Sequence, residues 1–261
     1  MFGPTAEQLW PEIAPQWMQA CPEWLEDIFL NFFKCFIHKE RYMMFLKGLG
    51  NTLLLTLFAL LIGVALGVII SLIRVTWDKN GSEMRGPGKV FLGIANVIAK
   101  IYLTIIRGTP VVVQILLFFF VIFATSNNKL LIGSLCFGIN SGAYVAEIFR
   151  SGIMSVDIGQ TEAGRSLGFG YISTMRHIIL PQAFKNVLPP LCNEFIVLLK
   201  ETAVVGYIGL SDLTYAANTV GGSTYEFLFP LLLAAIIYLI LVMFFTFLVG
   251  KLERRLRNSE R

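Results

Sequence analysis

Two ionisable residues lie inside otherwise apolar stretches of this chain, and a charge in a membrane-length run is costly enough to mark a functional site by default. Glu194 stands in LPPLCNEFIVLLKET with Asn193 beside it, and Arg107 opens RGTPVVVQ with Thr109 and Gln114 close behind. A carboxylate next to an amide accepts from an ammonium, and a guanidinium next to a hydroxyl donates to a carboxylate. Together they suit a zwitterion such as a free amino acid, with Gln114 and Tyr144 as walls. The alternative is a structural Glu194–Arg107 pair with no ligand between them. Blander readings fit their neighbours: Glu147 and Arg150 are three apart and read as an intrahelical pair or a gate contact, while Lys200 and Glu201 read as interfacial anchors.

A second constellation runs from Glu162 to Pro181, EAGRSLGFGYISTMRHIILP. Glu162-Ala163-Gly164 is followed by Gly168 and, after a gap, by Ile178, Leu180 and Pro181. Asp157 is placed to cap a helix starting at Ile158, and Glu162 falls in its first two turns, where the helix dipole favours a carboxylate. Gly168 and Gly170 break that helix. A second helix, Ile172 to Leu180, returns the chain, and Pro181 starts the next apolar span at a position where a missing N–H costs little. Ala163 and Gly164 are small enough for a partner's surface to approach closely. Taken alone, Glu162 and Arg165 also fit an i,i+3 pair on a solvated face.

These residues need a membrane scaffold to position them. The chain is 56% hydrophobic and only 15% charged, against about 25% charged in soluble domains, and the charges gather between long apolar runs. Gly48 to Ile73 and Phe227 to Gly250 contain no charge and exceed the roughly 20 residues needed to cross a bilayer core. Less regular spans are read at 88–124, one long or kinked segment interrupted at Arg107, Gly108 and Pro110; at 129–150; and at 179–203. Glu194 lies roughly 22 Å into the last of these from its cytoplasmic end, counting the rise of a helix. Pro189-Pro190 predicts a distortion there, and broken helices near the midplane are where free N–H groups can meet a substrate carboxylate. Gly63 and Gly67 make a GxxxG face in the first span that permits close helix packing.

Lys and Arg in short loops set the orientation. They collect at 74–89, at 150–178 and in the tail (Lys251, Arg254, Arg255, Arg257, Arg261), and are almost absent from 125–129 and 204–226. This predicts an external N-terminus, a cytoplasmic C-terminus, the Glu162 loop in the cytoplasm, and a tail beside anionic headgroups. The expected organisation is an N-terminal extension with an interfacial helix over 1–46, a transmembrane domain over 47–251 with the loop at about 155–180, and a basic tail over 252–261. Within the extension, 24–46 reads as an interfacial helix, because its aromatic and basic residues alternate as at a headgroup boundary; the alternative, a further span from about 25 to 46, is opposed by Glu26, Asp27, Lys34, Lys39, Glu40 and Arg41. The uncharged, then acidic start is unlike a secretory signal.

The chain carries no catalytic constellation of its own. Cys21, Cys35, Cys136 and Cys192 are too scattered for a metal motif, and Cys136 and Cys192 read as small buried hydrophobes. His38 and His177 are the two histidines, and no Walker phosphate loop is present. The energy for any pumping must therefore come from a partner.

The spaced Glu162 motif resembles the cytoplasmic EAA loop of the permease subunits of bacterial ABC importers, with Gly164 where that family usually has Ala. GNTLLLTLFALLIGVALG (50–67), RGTPVVVQ (107–114), NSGAYVAEIFRSGI (140–153), LPPLCNEFIVLLKET (188–202) and VVGYIGLSDL (204–213) are similar to the polar-amino-acid branch. The likeness covers roughly Gly48 to Lys251 and leaves out the extension. It implies an all-α membrane protein with the type I ABC importer permease fold: five transmembrane helices, an N-terminal interfacial helix and cytoplasmic coupling helices. It implies a non-catalytic subunit in the bacterial inner membrane that moves a polar or cationic amino acid by alternating access. The implied partners are two ABC ATPase subunits, which carry the ATP and Mg, a second permease subunit of the same or a homologous kind, and an extracytoplasmic solute-binding protein, with no nucleic acid. Glu162, Ala163, Gly164 and Gly168 would engage the ATPase. An ion-gradient-driven secondary transporter remains the alternative, although no internal repeat is visible and it would have no use for the Glu162 loop. A non-transporting scaffold would leave Glu194 and Arg107 unexplained.

Overall fold

In a computed structural model, residues 5–15 and 22–258 are described, and helices make up almost all of them, with no strand. Cys21 lies outside the described residues. The helices are α1 (Ala6–Ile13), α2 (Glu23–Phe32, prolonged by a π turn, Phe33–Ile37), α3 (Tyr42–Asn80), α4 (Pro87–Gly108), α5 (Val111–Leu117, prolonged by a π turn to Ile122), α6 (Lys129–Met154), α7 (Ile158–Ser166), α8 (Tyr171–Thr174, with a π turn to Ile179), α9 (Leu180–Glu201), α10 (Leu213–Thr224) and α11 (Leu228–Asn258).

Four of these, α3, α4, α6 and α11, are long and apolar enough to cross a membrane. The span expected at 88–124 is two helices, because Pro110 has no N–H to extend α4 and the residue before it is driven to extended backbone, with Thr109 at φ −122°, ψ 146°. The span expected at 179–203 is the continuous helix α9, whose Lys185, Glu194, Lys200 and Glu201 keep it out of the most apolar set. The helix is not broken at the two prolines. Pro189 and Pro190 lie inside helical geometry, so no run of free N–H groups opens beside Glu194.

The chain divides into two compact units, Met1–Leu53 with Ala203–Leu241, and Leu54–Thr202 with Val242–Arg261. Tyr42 already begins α3, so that helix runs through residue 46, the expected end of the N-terminal extension. α11 likewise runs on to Asn258, so the described part of the basic tail continues a helix.

In the first unit, Trp10 of α1 packs against Phe33 with ring centroids 5.7 Å apart and the planes tilted by 50°, and donates its indole N–H to Glu26. A separate core joins Cys35, Phe36 and Phe45 to Leu213, Ala217, Val220 and Ala234. The interfacial helix predicted over 24–46 is interrupted: Lys39 and Glu40 take left-handed backbone, φ 58° and 52°, which ends the helical run before α3 begins. The stretch 204–226, read from sequence only as an external connection, is ordered as a 3-10 helix followed by α10. Asp212, fully buried, caps α10 through bonds from the N–H groups of Thr214 and Tyr215. Burial pushes its carboxyl above the ordinary value, and those backbone bonds pull it partly back.

The second unit is built around α6, which is buried along most of its length and whose buried residues include many small ones, among them Gly133, Ser134, Gly138, Ser141, Gly142, Ala143 and Ala146, beside larger ones such as Ile132 and Phe137. Small side chains let neighbouring backbones approach closely in a membrane helix pair. The Gly63/Gly67 face of α3 is used inside the chain: a Cβ at Gly67 would come within 2.5 Å of Val145 and within 2.9 Å of the Ala146 nitrogen. Leu103, Ile106 and Tyr102 of α4 pack on Ala143 and Ala146. Cys136 is buried, as expected of a small hydrophobe, whereas Cys192 is only partly so.

Candidate functional site

The membrane-embedded polar residues collect around one turn of α6. Asn140 donates to the Gln114 carbonyl oxygen at 2.9 Å. Gln114, buried at the start of α5, turns its amide nitrogen to the Thr109 hydroxyl at 2.8 Å and to the carbonyl of Ile106 at 2.9 Å. The Gln114 amide therefore takes over carbonyls that the Pro110 break deprives of helical donors. Ser141, the next residue on α6, donates to Glu194 at 2.8 Å. One turn on, Tyr144 lies under the Arg107 guanidinium, 5.5 Å from ring centroid to Cζ, a cation–π contact.

Of the six residues singled out from sequence, Glu194, Gln114 and Arg107 thus meet residues of α6, Tyr144 belongs to it and Thr109 joins through Gln114, but they do not share one cavity. Successive residues on a helix diverge by about 100°, so Asn140 and Ser141 serve different sides. Glu194 is buried at 8% exposure and Asn193 is exposed. The alternative Glu194–Arg107 pair is absent among the described residues. Arg107 is exposed and lines an open groove of about 470 Å³ with Arg74, Lys100, Thr104 and Glu147. Glu147 is held by a two-nitrogen bond from Arg150 at 3.0 and 3.1 Å, and Arg150 also approaches Asp78 at 3.7 Å. The expected intrahelical pair is therefore present and reaches a third residue on α3. Sequence reasoning missed Ser141 and Asn140; the signal was the i, i+4, i+7 spacing of Asn140, Tyr144 and Glu147, which puts polar side chains on one face of an otherwise buried helix.

The Glu162 segment folds into two short helices. Asp157 accepts from the Gly159 N–H at 2.6 Å, and Gly168 at φ +81° turns the chain out of α7, a backbone region that glycine enters without penalty. The return helix flows through the π turn into α9, the helix that bears Glu194. Asn186 donates to the Ser155 hydroxyl at 3.0 Å and ties the C-terminal end of α6, just before α7, to α9.

Glu162 and Ala163 are exposed. Glu162 and Arg165 do not pair with each other; both border a cavity of about 390 Å³ with Asp78, Glu83 and Tyr171. Gly164 corrects the expectation that it faces a partner. It is buried, and a Cβ there would fall 2.7 Å from Thr174, so its smallness serves the packing of α7 on α8 within the chain.

A helical membrane scaffold with a capped two-helix loop feeding a polar span is the architecture of ABC importer permeases. The family model for the "binding-protein-dependent transport system inner membrane component" matches residues 88–258, and the chain belongs to that family. It is 36% identical over 218 residues to the arginine transport system permease protein ArtQ of Bacillus subtilis, covering 82% of this chain and 93% of that one. It is 33% identical over 208 residues to the glutamine transport system permease protein GlnP of Escherichia coli K12, covering 78% and 90%. Among solved structures, the crystal structure of an amino acid ABC transporter with histidines superposes with a TM-score of 0.73 at 40% identity, covering 84% of this chain and 98% of that one. An inward-facing MetNI methionine ABC transporter superposes at 0.67 with 17% identity, a likeness of fold.

Proposed function

We propose that this chain forms half of the translocation pathway of an ATP-driven importer for a polar or cationic amino acid. The observation that carries the reading is Arg107, an exposed guanidinium at a helix break, stacked on Tyr144 and without a carboxylate partner among the described residues. A fixed planar donor beside an open groove suits a substrate carboxylate, which accepts from guanidinium in a two-point geometry. Thr109, held by Gln114, supports the break that presents it.

Glu194 answers to the ammonium, or to a cationic side chain, in the conformer where α9 moves away from Ser141; Asn193 is the exposed neighbour that would meet substrate first. The named arginine and glutamine permeases among the relatives support a substrate of this class. The chain itself does no chemistry. ATP and Mg belong to two partner ATPase subunits, which grip the exposed Glu162–Ala163 face. A second permease subunit completes the pathway, and an extracytoplasmic solute-binding protein delivers the amino acid. Closure of the ATPases draws the α7–α8 loops together and opens the pathway outward; hydrolysis returns it. The N-terminus is external and the C-terminus cytoplasmic, as the distribution of Lys and Arg requires.

Losing a charge-assisted bond costs about 1.5–3 kcal/mol, so Arg107→Gln is expected to raise the KM for uptake roughly tenfold or more, with the complex still assembled. Unchanged KM for every amino acid tried would remove Arg107 from the pathway.

A further inference from the structure

We propose that the N-terminal helices form a site for one anionic phospholipid, its phosphate held by Lys34, Lys39 and Arg41 and an acyl chain lying along Trp10, Phe32 and Ile37. Two cavities in the first unit carry the inference. One, of about 380 Å³, is bordered by Lys34, His38, Lys39 and Arg41 together with the hydroxyl residues Ser223 and Thr224. Its lining holds three fixed cations against a single carboxylate, Glu7, which reaches Lys34 at 3.6 Å but is largely exposed, and so neutralises little. Arg41 donates to the Lys34 carbonyl, which fixes its guanidinium on this rim. Burial first, and then Arg41 and Lys39, push His38 below its ordinary value, as expected where positive charge collects.

The other cavity, of about 440 Å³, is apolar, bordered by Trp10, Ile28, Phe32, Phe33 and Ile37. The two are built from interleaved residues. Lys34 and His38 of the basic cavity directly follow Phe33 and Ile37 of the apolar one, and Ala6 precedes Trp10 by one turn of α1. A small anion would satisfy only the first cavity, and an apolar side chain only the second. A molecule with a phosphate joined to a hydrocarbon tail fills both. Backbone strain is concentrated at the same place: Lys39 and Tyr225, both lining the basic cavity, are left-handed at φ 58° and 59°, a conformation non-glycine residues rarely hold without a reason.

The test is native mass spectrometry of the full chain released from nanodiscs containing equal phosphatidylglycerol and phosphatidylcholine, with and without inorganic phosphate. The wild type is expected to retain one phosphatidylglycerol in preference to phosphatidylcholine. Each basic residue near an anionic lipid is worth roughly fivefold in binding, so Lys34→Gln with Lys39→Gln is expected to lower that preference roughly twentyfold, Lys34→Arg with Lys39→Arg to keep it, and Ile37→Ser to weaken retention while sparing the selectivity. Equal retention of both lipids, an unaltered preference in the double glutamine variant, or displacement by inorganic phosphate alone would overturn the proposal. None of these readouts depends on transport, so their failure leaves the reading of the pathway untouched.

Discussion

At the scale of single residues, the chain separates fixed polar contacts from available ones. Asp212 is of the first kind: fully buried, it caps α10 and meets the Tyr238 hydroxyl at 3.4 Å. A carboxyl whose pKa rises on folding contributes most below its unfolded value, and that contribution is lost as pH climbs through the folded value. Asn caps as well as Asp and carries no charge. Asp212→Asn is therefore expected to hold its melting temperature better than the native protein as pH is raised from the ordinary carboxylate range towards neutrality, here from pH 4 to pH 8. Asp212→Ala is expected to lose about 1 kcal/mol or more at either pH. Thermal melts of the detergent-solubilised protein decide it; Asn as damaging as Ala would contradict the account. Glu194, by contrast, is restrained only by Ser141 in the contacts described, so Ser141→Ala with Glu194 intact should alter amino-acid preference while leaving assembly unchanged. Uptake measured against a panel of amino acids reads this out, and an unchanged preference would place Glu194 outside the pathway.

At the scale of elements, two close approaches are decisive. Gly67 against Val145 and Ala146 sets the α3–α6 crossing, and Gly164 against Thr174 sets the α7–α8 crossing. Overpacking a close-packed contact costs about 1–3 kcal/mol, so Gly67→Leu is expected to lower thermal stability. Gly164→Leu is expected to preserve ATP hydrolysis by the complex while abolishing its stimulation by amino acid, because the two coupling helices part. Hydrolysis still stimulated in that variant would show that the loop does not transmit force through this packing. The elements were legible in unequal measure. The two charge-free runs announced α3 and α11, Asp157 and Gly168 bounded α7, and Pro110 marked the α4–α5 break. The Lys39–Glu40 reversal was not legible, because neither residue type favours left-handed backbone. The continuation of α9 through Pro189-Pro190 also defied the usual meaning of that pair. Gly164 looked like a partner-facing position because sequence gives smallness but not direction, and Asn140 and Ser141 stayed hidden among the small residues of α6.

At the scale of the whole molecule, polar side chains of α4, α5 and α9 meet on α6, and α9 continues from the coupling loop. On the proposed function, that arrangement would convert movement at the exposed Glu162 face into movement beside a buried carboxylate. The most direct test reconstitutes the chain with its partner ATPase and solute-binding protein in proteoliposomes and follows labelled amino-acid uptake and ATP hydrolysis together, in the native chain and in Glu162→Arg. The account predicts uptake that requires ATP, hydrolysis stimulated by a polar or cationic amino acid, and loss of both uptake and stimulation in the variant. Uptake driven by an imposed ion gradient without ATP, and indifferent to Glu162, would contradict it.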